Sequence, residues 1–158
     1  MTYQDRYNSE RYLDMTAYFA MKNIERKEGV KTGMREDWDF RRGDLYLADL
    51  GYGAVGYDGS HVQGGVRPVV IVQNDRGNRF SPTVICAAMT SRLGKSDLPT
   101  HVWVSARDSG LKSDSLVLCE QIRTIEKKRL KGRAGRIAGL ALARVDEALL
   151  AAMGIRRE

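Results

Sequence analysis

The stretch that most constrains this chain is Gly64-Gly65-Val66-Arg67-Pro68-Val69-Val70-Ile71-Val72-Gln73-Asn74. Two glycines, an arginine and a proline lead straight into four β-branched residues, a pattern that predicts a tight turn followed by a buried strand. The glycines allow positive φ or a close backbone approach, and Pro68 fixes φ at a strand start, where its missing N–H is tolerated. Arg67 is therefore expected at the mouth of a rigid strand, held as a cation meant for a phosphate or carboxylate should be held. On these residues alone the competing reading is a solvated arginine beside an ordinary hairpin turn.

Around this stretch the pattern is one of short β segments. Strands are expected at residues 45–50, 69–73, 83–89, 101–105 and 115–125, with a last short one at 133–137. Such spacing indicates a mainly β (α+β) domain built on a small barrel or sandwich. Residues 51–65, with six glycines and two tyrosines, form a loop of a length that is usually functional. Residues 140–153 carry Leu142, Val145, Leu149 and Met153 on one side and read as an amphipathic helix on the barrel. Before the β pattern, residues 1–28 read as a helix with an apolar stripe of Tyr12, Met15, Phe19, Ala20, Met21 and Ile24. A charged, glycine-punctuated linker follows at 27–39. The expected organisation is thus an N-terminal helical extension and linker, 1–40, and one domain, 41–158.

Charge narrows the partner. Residues 1–42 hold 9 basic and 8 acidic side chains, while residues 43–158 hold 17 and 12, so most of the net +6 lies in the second part. That excess favours an anionic partner such as nucleic acid or an acidic protein. The densest basic run is Lys127, Lys128, Arg129, Lys131, Arg133 and Arg136, read either as a solvated face or as a surface that attracts RNA or an acidic partner. Cys86 and Cys119 sit in apolar runs and are expected as buried free thiols in a reducing cytosol. Two cysteines and two histidines at these spacings make no four-ligand metal site, and no apolar run nears the length of a membrane span. No phosphate-binding glycine loop, nucleophile elbow, dinucleotide fingerprint or His-Glu-x-x-His occurs.

Six blocks, in order, carry a resemblance. They are Arg42-Gly43-Asp44-Leu45-Tyr46-Leu47-Ala48-Asp49-Leu50; Gln63-Gly64-Gly65-Val66-Arg67-Pro68 with the strand after it; Asn78-Arg79-Phe80-Ser81-Pro82-Thr83; Ala87-Ala88-Met89-Thr90-Ser91; Leu98-Pro99-Thr100-His101-Val102; and Leu118-Cys119-Glu120-Gln121-Ile122-Arg123-Thr124-Ile125. Together they resemble the MazF/PemK toxins of toxin–antitoxin modules over residues 41–153. Residues 1–40 lie outside the resemblance, and the loop at 51–65 is several residues longer than is usual in the family. The resemblance implies an SH3-like (CcdB/MazF-like) small β barrel and a homodimer in the cytoplasm. It also implies a metal-independent, sequence-preferring endoribonuclease without cofactor, acting on single-stranded mRNA and neutralised by a cognate antitoxin that covers the RNA groove. By motif, Arg67 matches the family's catalytic arginine and Thr90 its catalytic Ser/Thr. Two rivals are a CcdB-like barrel that poisons DNA gyrase and an inactive SH3-like nucleic-acid-binding module; the Arg67/Thr90 pair favours cleavage over either.

Those residue types suit the chemistry. Attack of a 2′-hydroxyl on its own phosphate needs a base, an acid for the leaving 5′-oxygen, and donors facing the phosphorane oxygens. Arg67 can present two parallel N–H donors and Thr90 a third. A guanidinium with a pKa above about 12 is a poor base, so Arg67 is read as charge stabiliser or acid, and the base stays unassigned. His61 in the glycine loop has the pKa range for that work, although an exposed loop histidine that touches RNA is the stronger reading. His101, on an alternating strand, is read as structural. RNA contacts are expected from Gln121 and Arg123, from Tyr57 and Tyr52 as stacking surfaces, from His61 and Gln63, and from Arg79, which with Asn78 also shapes the turn that Pro82 closes.

Overall fold

The computed structural model describes residues 39–51, 61–94 and 98–156. The expected N-terminal helix, its linker, Tyr52 and Tyr57 lie outside these residues. Asp39–Glu158 forms one compact unit. Six strands build one antiparallel sheet: β1 Asp44–Asp49, β2 Val66–Ile71, β3 Thr83–Thr90, β4 His101–Val104, β5 Ser115–Glu126 and β6 Leu130–Arg136. Their spatial order is β4-β5-β3-β2-β1-β6, so the strand that Arg67 opens stands near the middle. Three α-helices, α1 Asp75–Phe80, α2 Ala106–Ser109 and α3 Gly139–Met153, and a 3-10 turn at Lys127–Arg129 complete the described fold.

The strands follow from their apolar patterns. Val69, Val70 and Ile71 are fully buried, and so are Val84, Ala87 and Met89 in β3. Buried residues alternate between two faces because side chains alternate along a strand. Leu45, Val70, Ala87 and Met89 face a core that includes Val117, Cys119, Val145 and Ala148, so this side of the sheet is closed by α3. Tyr46, Val69, Cys86 and Ala88 are buried on the opposite parity, so the sheet curls to shield its second face as well. α3 packs against β4 and β5. It buries Val145 as expected and adds Ala148, whereas Met153 is exposed, because the helix's last turn extends beyond the core.

Two short helices were not expected. α1 contains Gly77 and Asn78, poor helix formers, and stands on local bonds instead: the Asn74 side chain accepts from Gly77 N–H at 2.8 Å. Fully buried Asn78 donates to the Gln73 carbonyl at 3.0 Å and accepts from Gln73 Nε2 at 3.2 Å. α2 begins with an N-cap, in which Ser105 Oγ accepts from Asp108 N–H at 3.1 Å, and ends at Gly110 with φ +80.

Both thiols are free and buried. Burial pushes Cys86 up to about 12, with the Arg123 guanidinium pulling the other way, and pushes Cys119 up to about 12 with the Glu120 and Asp146 carboxylates adding to it. Because both pKa values are higher in the folded state than in the unfolded one, this contribution to stability is complete below about pH 9 and is lost as pH rises toward about 12. Native protein at pH 8 is expected to resist iodoacetamide at both positions and to react fully in denaturant, read by mass spectrometry. Fast native labelling of either thiol would contradict this burial.

Candidate functional site

Register brings the two motif residues together. Val69 pairs with Ala88 and Val70 with Ala87 across β2 and β3. Continuing that register by two residues sets Arg67 opposite Thr90, on the same face. The β2–β3 ladder stops at Val69 and Ala88, so the two side chains stand where the strands are no longer bonded to each other. Arg67 remains anchored on its other side, where it pairs with Ala48 of β1.

Each side chain is held by one local bond. Arg67 Nε donates to the Gly64 carbonyl at 2.6 Å, and its terminal nitrogens have no partner among the described residues. The guanidinium is thus fixed at its root while its two outer donors stay available. Thr90 is only 5% exposed, and its Oγ1 accepts from Arg92 N–H at 3.2 Å. That bond occupies a lone pair and leaves the hydroxyl hydrogen free to donate. Neutral Thr90 beside an ordered guanidinium is a constellation of donors for an anion.

The loop before Arg67 is tied at its neck. Gly65 N–H donates to the Gly51 carbonyl and Leu50 N–H to the Gly65 carbonyl, both at 2.9 Å. Gly51 and Gly65 have φ of +73 and +71, which a side chain would strain. Gln121 accepts from Gln63 N–H at 2.8 Å and donates to the His61 carbonyl at 3.2 Å. Arg123 donates to the Leu50 carbonyl at 3.1 Å and also to the Gln63 carbonyl. Arg123 pairs with Cys86, which lies on the same face as Thr90 by alternation along β3. Gln121 and Arg123, expected to contact RNA, have polar groups that hold loop backbone.

The remaining expected positions divide. His61 is exposed and Gln63 half-buried, both on the loop neck. Arg79 is exposed on α1, with its guanidinium carbon 5.3 Å from the Phe80 ring centre. α1 follows the far end of β2, so the fold places Arg79 at the other end of the strands from Arg67. His101 fits its structural reading, with Nε2 2.8 Å from Glu120 Oε1 and a side chain only 7% exposed. His101, Trp103, Leu140 and Arg144 line a pocket of about 410 Å³ between β4 and α3, which none of the motif residues enters.

The basic run is largely structural. Arg133 and Arg136 bind the buried Asp44 carboxylate, Lys128 pairs with Glu126 at 2.5 Å, and Arg129 lies 4.0 Å from Asp49. Lys127 donates to the Asn78 carbonyl over the Phe40 ring, and burial lowers its pKa. Sequence reasoning missed the ties of Arg133 and Arg136 to Asp44 and of Arg129 to Asp49 because those carboxylates stand far away in the chain.

Comparison with known proteins agrees with this geometry. An endoribonuclease in complex with its cognate antitoxin, from a mycobacterial species, is 26% identical with a TM-score of 0.60, over 75% of this chain and 99% of that one. The Mycobacterium tuberculosis toxin MazF-mt6 is 23% identical with a TM-score of 0.58, over 72% and 99%. MazF (Form-I) from Deinococcus radiodurans is 22% identical with a TM-score of 0.59, over 75% and 99%. The last two likenesses show the fold. The family described as PemK-like, MazF-like toxin of type II toxin–antitoxin system matches residues 41–153, which hold every element of the described fold and both motif residues. The chain belongs to the PemK-like, MazF-like toxin family of type II toxin–antitoxin systems.

Proposed function

We propose that the chain, an endoribonuclease of this toxin family, cuts single-stranded mRNA without a metal, by attack of a 2′-hydroxyl on the adjacent phosphate. The observation that carries this reading is the β2–β3 register, which, continued past Val69 and Ala88, sets Arg67 and Thr90 on one face at the open end of the ladder. Arg67 directs two donors at the phosphate oxygens, and Thr90 supplies a third from the neighbouring strand end. As charge builds on the phosphorane, these donors meet it without having to reorganise, which is where their contribution to rate arises. Arg67 stabilises charge or protonates the leaving 5′-oxygen, and removal of the 2′ proton falls to another group.

In this reading His61 and Gln63 contact the RNA beside the scissile phosphate, and Tyr57 offers a stacking surface. The protein acts in the cytoplasm as a homodimer, with a cognate antitoxin as its inhibitor. No described helix is long and apolar enough to cross a membrane.

Purified protein is expected to cut single-stranded RNA in excess EDTA, leaving a 2′,3′-cyclic phosphate or a 3′-phosphate. Intact RNA after long incubation, or full activity in both Arg67→Ala and Thr90→Ala, would overturn the reading.

A further inference from the structure

Gln121 and Arg123 are fixed to backbone, and that backbone in turn holds Arg67. Gln121 makes one bond to Gln63 N–H and one to the His61 carbonyl. Arg123 bridges the Leu50 and Gln63 carbonyls, one from each side of the loop neck. The next residue, Gly64, supplies the carbonyl that receives Arg67 Nε at 2.6 Å. Both glycine-dependent backbone bonds of the neck, at Gly51 and Gly65, lie within the same few residues.

We infer that Gln121 and Arg123 form a latch that sets the Gly64 carbonyl and through it the direction of the Arg67 guanidinium. They are positioning residues for the reaction proposed above, on which the kinetic part of this inference rests. Every described bond of the two side chains ends on backbone of the loop neck. Gln121 uses both ends of its amide, and Arg123 uses a terminal nitrogen for each of two carbonyls on opposite sides of the neck. Such bridging needs a planar fork of fixed geometry, which lysine lacks. The site is on one face of the sheet: Arg123 reaches it from β5, Thr90 from β3 and Arg67 from β2. Neck and strand are thereby coupled, so that residues 61–65 cannot shift without moving Arg67.

The test compares Gln121→Ala, Arg123→Ala and Arg123→Lys with the wild type in two readouts. The first needs no RNA: proton exchange at Arg67 Nε–H and at the Gln63 amide, followed by NMR in the full chain. All three variants are expected to speed exchange at Arg67 Nε–H, and Gln121→Ala also at the Gln63 amide. The second is cleavage of a short RNA. A misplaced donor costs about 100-fold in kcat, with KM little changed and the salt dependence of binding retained. Arg123→Lys keeps the charge and is expected to fall with Arg123→Ala. Unchanged Arg67 Nε–H exchange in all three variants overturns the latch. So does restoration of activity by Arg123→Lys, or a drop in the salt slope of about 0.7 in Arg123→Ala, since either marks a phosphate contact. Should the wild type cut no RNA, the proposed reaction fails while the exchange measurement still decides the latch.

Discussion

Arg67→Lys is expected to lower kcat/KM on single-stranded RNA about as far as Arg67→Ala, by about 1,000-fold, with the fold intact. One preorganised donor to a developing anion contributes about 100- to 1,000-fold, and Arg67 offers two from a single planar group. Lysine keeps the charge but has no Nε to accept direction from the Gly64 carbonyl, so its ammonium would sample many positions. The stability cost is small by comparison. The side chain is half-buried and makes one described hydrogen bond, the loss of which costs about 1 kcal/mol. Initial-rate kinetics together with a thermal melt separate the two effects. Recovery by lysine to within about tenfold of wild type would mean that a point charge suffices, and that the rigid turn at Gly64-Gly65 has another purpose.

How far the sequence determined these positions varies with the range of the interactions involved. β2 was legible because Val69, Val70 and Ile71 are buried on both faces, and a strand in the middle of a sheet shows that as a continuous apolar run. That Arg67 and Thr90 belong together was legible through the motif resemblance alone, since register between β2 and β3 depends on contacts across the sheet. α2 carried a readable signal in Ser105, Asp108 and Gly110, whereas α1 rests on Asn74 and the buried Asn78, which no periodicity marks. Gln121 and Arg123 were read from the sequence as contacts with RNA, with no sign of their bonds to the loop. Their bonds to residues near 61–63 join segments about sixty positions apart, and a local reading of side-chain type cannot distinguish a cation facing solvent from one facing a carbonyl. The same limit applies to the basic run, where the acidic partner of Arg133 stands 89 residues earlier.

That partner gives the largest expected effect on stability. Asp44→Ala is expected to destabilise the domain by about 3 kcal/mol, read as a lower urea midpoint with an unchanged slope. Asp44 is 2% exposed; Oδ1 receives Arg136 at 2.7 Å and Arg133 at 3.0 Å, and Oδ2 receives Arg41 N–H at 2.9 Å. Together these bonds tie the start of β1 to β6 beside a register shift at Leu45/Tyr46, where ladder bonds are interrupted. Losing one partner of a buried pair costs about 3–5 kcal/mol when the remaining charge stays buried. Here the arginines are 57% and 40% exposed and can regain water, which places the cost at the lower end. What persists is the repulsion of two neighbouring guanidiniums and an unsatisfied N–H. Adding Arg133→Met to Asp44→Ala removes the repulsion and should recover part of the loss, a coupling measurable in a double-mutant cycle. A loss below about 1 kcal/mol would place these pairs with ordinary surface ion pairs. Asp44 and Arg67 stand at opposite ends of the β1–β2 ladder, so cleavage per folded molecule should be unchanged in Asp44→Ala. The two substitutions thus separate the framework from the chemistry: one lowers the amount of folded protein, and the other lowers what each folded molecule does.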